Sequence, residues 1–198
     1  QNYFTQGVLN DSSMDVHEIR FSGDITESLS YGAGAFYAKF NSDTNVSSYT
    51  ALFNFGTAPA NFVTILETPV YSHNKSNEKS YFGNLTYKFS DVTELSAGLR
   101  YIDYKVDQGT QIIGGNVLGG LKDDFSTTIY TVSLAHNFTD DIMGYITAGS
   151  SWRPGNAAVG NSDTSRTELE RSFLDIGPEE SDSIEFGLKS TQGAAGRW

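Results

Sequence analysis

The sequence predicts an all-β fold: an antiparallel transmembrane β-barrel segment of about seven or eight strands, part of a larger barrel. Three features predict it. Apolar and polar residues alternate with period two along much of the chain, and helical periodicity is nearly absent. Short and long connections alternate strictly, as tight periplasmic turns and long extracellular loops do in such barrels. Aromatic residues gather at strand ends, where a lipid-facing band would be flanked by aromatic girdles.

The strands follow in order. MDVHEIRFSG (14–23) and LSYGAGAFYAKF (29–40) form a first hairpin around the short turn DITES. The clearest hairpin pairs 80–90 with 94–106. In it Tyr81, Gly83, Leu85, Tyr87 and Phe89 share one face, and Asn84, Thr86 and Lys88 the other. On its second arm Leu95, Ala97, Leu99 and Tyr101 oppose Ser96, Gly98 and Arg100, and a phase slip near Tyr101 and Ile102 suggests a bulge. A third hairpin pairs 125–138 with 142–153 across Asp140 and Asp141; His136 is a misfit on its apolar face, and the phase of the second arm is not fixed. A seventh strand spans 181–191. The long loops are 41–79, 107–124 and 154–180. Phe21, Phe89 and Phe138 precede short turns; Phe36, Tyr37 and Phe40 precede a long loop.

Composition agrees. The chain has 198 residues, 38% of them hydrophobic, with 20 Gly, 13 Phe, 11 Tyr and no Cys. Mean hydropathy is −0.34. The 38% apolar share is thin for a globular core. A net charge of −11 argues against nucleic acid, whose phosphates need a cationic partner. Without Cys there are no disulfides, thiol nucleophiles or thiolate metal sites. No run is long enough for a membrane helix, and QNYFTQGVLNDSS has no signal-peptide pattern.

Catalytic motifs are weak. His17, His73 and His136 lie far apart with no nucleophile elbow or HExxH spacing, so no enzyme is expected. GAGAF (32–36) lacks the third glycine of a dinucleotide fingerprint, and GGNVLGGLKDD lacks the Gly-Lys-Ser/Thr of a P-loop. The small residues of GAGAF are expected to relieve crowding, and GGNVLGG to form a loop tip. Asp123 and Asp124 alone are weak support for a divalent-cation site. No metal or cofactor is expected. TSRTELERS has the one helix-like composition, for a short helix or a disordered stretch.

Several segments then resemble a family. YFGNLTYKFSDVTELSAGLRY, HNFTDDIMGYITAGSSWRPGN and PEESDSIEFGLKS look like successive pieces of the barrel of TonB-dependent outer-membrane receptors. The carrying residues are Tyr145, then Trp152, Arg153, Pro154 and Gly155, then Pro178, Glu179 and Ser181, then 185–189. The opening hairpin EIRFSG…LSYGAGAFY is similar too, and the resemblance spans roughly 14–190. It implies a bacterial outer-membrane location and active uptake of a scarce nutrient such as a ferric siderophore. The partners implied are outer-membrane lipid and TonB, the latter through a plug domain not seen in this chain. The ending TQGAAGRW does not continue the strand pattern and reads as a truncated end.

Long loops on a rigid barrel are the natural recognition surface. Tyr49, Phe53, Phe62, Tyr71, Trp152 and Arg153 are therefore the ligand-binding candidates, and Asn84, Thr86, Lys88 and Arg100 the lumen-facing ones. The simpler role for Arg153 is an ion pair with Asp163 or Glu168. The alternatives are a passive porin-like outer-membrane barrel and a soluble carbohydrate-binding β-sandwich.

Overall fold

A computed structural model describes residues 2–53, 63–158, 160–163 and 165–190. Seven strands form one antiparallel sheet in chain order. They are β1 (Asn2–Thr26), β2 (Leu29–Phe53), β3 (Val63–Ser90), β4 (Thr93–Ile112), β5 (Val117–Asn137), β6 (Ile142–Arg153) and β9 (Glu179–Ser190). Between the last two lie β7 (Asn156–Ala157), α1 (Glu168–Ser172) and β8 (Asp175–Ile176). β1 and β9 are the two sheet edges, so this wall is open, and the other sheet among the described residues is only the two-stranded β7–β8 pair. That arrangement gives the sandwich alternative no support.

The three short turns use one device. Thr26 Oγ1 accepts from Leu29 N at 3.0 Å, Ser90 Oγ from Val92 N at 3.4 Å, and Thr139 Oγ1 from Ile142 N at 3.1 Å. A hydroxyl closing the backbone two or three residues ahead stops each strand without a loop.

The opposite ends depart from expectation. Most of 41–79 and 107–124 is ladder, not loop. β2 and β3 pair continuously from Leu29 opposite Tyr87 to Phe53 opposite Val63. β5 begins at Val117, after a tip in which Gly114 takes φ 74°, a backbone that disfavours side chains. The reason is environmental. Stretches such as 41–45 are polar on both faces, so pairing persists where no alternation marks it. β3, at 28 residues, runs on the order of 90 Å along the strand, about three times what crossing a hydrocarbon core requires.

Register shows where the two faces change character. One face carries Leu29, Tyr87, Leu95, Leu134, Ile146 and Phe186 in one cross-strand row. Tyr31, Leu85, Ala97, Val132, Ala148 and Ile184 make the next, which fixes the phase of β6. Such cross-strand pairs contribute roughly 0.2–1 kcal/mol each. Above the row containing Tyr81 and Tyr101, apolar residues swap faces. Phe36, Phe40, Ile102, Tyr104, Val106 and Phe125 all stand on the other side. The β3–β4 register nevertheless runs unbroken from Val70 opposite Ile112 to Lys88 opposite Glu94. The slip at Tyr101 and Ile102 is thus an inversion of surroundings rather than a bulge. Phe36 and Phe40 accordingly leave the girdle expected of them.

Candidate functional site

The outward face, defined by the Leu85 and Tyr87 rows, is bare. Leu99 is 62% exposed and Phe186 81%. An apolar field this continuous on a soluble protein would be a large interaction surface. It covers 81–89 of β3 and 93–101 of β4, close to the 9–11 tilted residues, or about 25 Å of height, that a membrane strand exposes to lipid. Its short-turn edge carries Tyr87 against Phe89, with ring centroids 4.9 Å apart, and His136 edge-on to Phe138 at 4.8 Å. His136 Nδ1 also lies 2.7 Å from Thr93 Oγ1. The misfit therefore sits at the polar margin of the band with a partner.

The inward face is polar and interleaves arginine with aromatic rings. Arg100 donates to Glu78 at 2.7 Å and to the fully buried Ser80 at 3.1 Å, and its guanidinium lies 5.2 Å from the Phe36 ring. Arg20 pairs with Glu18 at 2.6 Å and lies 5.5 Å from the Phe82 ring. Gly34 makes room for that ring, since a Cβ there would meet Phe82 Cζ at 2.5 Å. This is the crowding that GAGAF relieves. Asn84, Thr86, Lys88 and Arg100 share this face by register. Thr86 reaches Ser96 at 2.9 Å.

Higher up, the segment after Arg153 folds over the inward face. Gly160 N donates to Leu118 O at 2.5 Å, and Asn161 bonds both backbone groups of Gly120, at 3.0 and 2.7 Å. β7 and β8 pair within it, and α1 starts at a capping box in which Thr167 and Glu170 bond each other's backbone. Thr167 donors hold the Glu170 carboxyl below its ordinary range. Within TSRTELERS, Glu168–Ser172 is thus a helix with a defined start.

Beneath this fold-over lies a cleft of about 430 Å³ between Asn74, Tyr104 and Gln108 of the wall and Arg153, Asn156 and Ile176 of the segment. Asn74 and Gln108 also line an adjoining cavity of about 190 Å³ with Ser42, Thr44, Ser72 and Thr110. Trp152 stands at the rim, 5.8 Å from the Tyr104 ring and 6.4 Å from that of Phe125. Arg153 Nη2 donates to Glu179, not to Asp163 or Glu168. Asp163 pairs instead with Arg166 at 3.5 Å.

The predicted residues divide. Arg153 lines the cleft, and Trp152 packs against Tyr104, one of its wall residues. Tyr49 and Tyr71 stand on the opposite, outward face, bonded to Glu67 at 3.0 Å and to Asp43. The Asp43 carboxylate raises the Tyr71 phenol above its ordinary range. Phe62 lies outside the described residues, as does the Phe53 side chain. Asp123 and Asp124 point to opposite faces, as consecutive strand residues must, and Asp124 pairs with Lys105 at 2.8 Å. Sequence reading missed Asn74, Tyr104 and Gln108. Two of them are amides in a stretch read as loop, and Tyr104 follows the apparent slip.

The ferric yersiniabactin uptake receptor FyuA from Yersinia pestis has a similar fold, with TM-score 0.66 at 15% identity. The match covers 96% of this chain and 28% of FyuA, so the chain spans about a quarter of that receptor's length. No curated protein sequence matches the chain. The family of TonB dependent receptor-like β-barrels matches residues 1–198, from end to end. The chain belongs to the TonB-dependent receptor β-barrel family.

Proposed function

We propose that this chain is wall and mouth of a bacterial outer-membrane receptor that takes up a scarce nutrient, with a ferric siderophore as the class that fits. TonB would supply energy through a plug domain outside this chain. The single observation that carries the reading is the cleft under the 154–180 fold-over, which Tyr104 and Arg153 line and where Trp152 packs against the Tyr104 ring. Flat rings beside guanidinium groups suit an anionic chelate built on aromatic rings, through stacking and cation attraction together. FyuA, with its related fold, takes up ferric yersiniabactin. Asn84, Thr86, Lys88 and Arg100 would line the path below.

The test uses the full-length receptor in a strain lacking other ferric uptake. Trp152→Ala with Arg153→Ala should weaken binding of ferric yersiniabactin about tenfold or more, equivalent to about 1.4 kcal/mol. Tyr49→Phe, on the outward face, should leave it unchanged. Uptake should stop when TonB is deleted. Uptake that persists without TonB would favour a passive porin and overturn this reading.

A further inference from the structure

β5 loses one of its two neighbours near the top of the apolar band. β6 pairs with it only from Thr131 opposite Gly149 to Asn137 opposite Met143, whereas β4 stays paired with it up to Val117. Above Thr131 the wall therefore has a break between β5 and β6. In hydrocarbon an open strand edge is not tolerated, and Tyr130, opposite Leu99, is still capped: its N–H donates to Ser150 Oγ at 3.0 Å. The open positions begin at Thr128, in the Tyr101 row where water takes over.

Strand geometry fixes which backbone groups are left. In an antiparallel strand the N–H and C=O of one residue point to the same side, and successive residues alternate. Tyr130 meets Ser150, Gly120 meets Asn161 through both N–H and C=O, and Leu118 O accepts from Gly160 N, so the even residues face the break. Between these anchors stand Lys122, Asp124, Ser126 and Thr128, with no ladder partner on that side among the described residues. The Asp124 N–H is engaged by the Asp123 carboxylate at 2.8 Å. The N–H groups of Lys122, Ser126 and Thr128, and the carbonyls beside them, form an open edge about 20 Å long.

One peptide-like group already docks on this edge. The Asn161 side chain is a carboxamide, the chemistry of a backbone unit, and it takes Gly120 by two bonds as a neighbouring strand would. It closes the open stretch from above, and Ser150 closes it from below. A chain added between them has room for about six residues and ends inside the break. That fits a short free peptide rather than a segment of a folded partner. The charges around the break select its sign. Glu180 accepts from Thr127 at 3.0 Å and Asp182 from Tyr130 at 3.2 Å, which brings both across from β9, and Asp123 joins them from β5. None of these three carboxylates has an ion pair among the described residues. The nearby cations are engaged elsewhere, Lys105 with Asp124, Lys122 with Asp107 and Arg153 with Glu179.

We propose that the open edge of β5 binds a short cationic peptide as an added strand. Lys122, Ser126 and Thr128 hold its backbone, and Asp123, Glu180 and Asp182 pair with its basic side chains. The site depends on where β5 and β6 part and not on the nutrient taken up.

The test titrates the full-length receptor, in bilayer nanodiscs, with a fluorescent hexapeptide of alternating lysine and valine, and reads anisotropy. Saturable binding is expected. Of its two alternately N-methylated forms, the one whose methyl groups meet β5 should bind about tenfold more weakly, and the other should not. Ser126→Pro removes an edge-side N–H where proline is tolerated, and should weaken binding by a similar factor. D123N/E180Q/D182N should weaken it about fivefold, and Tyr49→Phe should leave it unchanged. Unchanged melting of each variant shows that it folds. Amide exchange at Lys122, Ser126 and Thr128 should be fast in the free receptor and slowed by the hexapeptide. Equal binding of the parent and both N-methylated forms would overturn the proposal. Slow exchange at these amides without peptide would also overturn it, by showing the edge already covered in the full-length receptor. None of these readings involves uptake, so failure of the siderophore reading leaves them untouched.

Discussion

The same strands live in two settings, and their sequences differ accordingly. Below the Tyr81–Tyr101 row, β2 to β5 put leucine, valine and tyrosine outward and glycine, serine, threonine and asparagine inward. Above it the outward face turns to lysine, aspartate and histidine, while Ile102 and Val106 become buried on the inward side at 7% and 6% exposure. The ladder does not change. What changes is the solvent on the outer face, from hydrocarbon to water. Inward apolar burial then becomes the stabilising arrangement.

The largest expected effect breaks this contrast at its lower half. Leu85→Arg, outward in the band, should cost about 2–4 kcal/mol of folding stability in bilayers, from burying a charge against lipid. Ser47→Arg, on the same face but far above, should change stability by less than about 0.5 kcal/mol. Denaturant titration in lipid vesicles compares the two. Equal costs would break the two-zone picture.

Ile102→Ala should cost about 2–5 kcal/mol, the range for emptying a buried aliphatic site. Leu99→Ala, outward and three residues away, should cost less, because lipid chains fill the space a packed wall leaves empty. A smaller loss at Ile102 than at Leu99 would place the burial on the wrong face.

How much of this was legible from the residues follows from the same contrast. The 80–106 hairpin was readable because lipid on one side and a polar interior on the other write a clean period of two. The reach of β2 and β3 was not, since Asn41, Ser42, Asp43 and Thr44 meet polar surroundings on both faces and leave no period. The inversion at Ile102 mimicked a bulge, because one chain cannot reveal that its surroundings, rather than its register, have shifted. At the site, Trp152 and Arg153 were marked by the break at Pro154. Tyr104, Asn74 and Gln108 were not, because only the register and the fold-over bring them under that corner.

The smallest effect concerns the fold-over. Thr167→Ala should remove about 1 kcal/mol from α1 and raise amide exchange there, leaving the wall unaltered. Acid should do the same through Glu170. Its folded pKa is depressed by the Thr167 donors, so its contribution is complete above the unfolded carboxylate pKa. That contribution is lost as pH falls through the lower, folded value. Exchange in α1 that is flat from neutral pH to below the carboxylate range would contradict this.

The most direct test of the central claim uses the absence of cysteine from this chain. Single cysteines placed at every second position of β3 from 71 to 89, in the full-length receptor in bilayers, would carry spin labels relaxed by oxygen or by a polar nickel complex. Labels at 81, 83, 85 and 87 should be relaxed by oxygen, and labels at 71, 73, 75, 77 and 79 by nickel, with the crossover between Lys79 and Tyr81. Oxygen-dominated relaxation continuing to Tyr71, or nickel access at Leu85, would contradict the placement of the membrane on this wall.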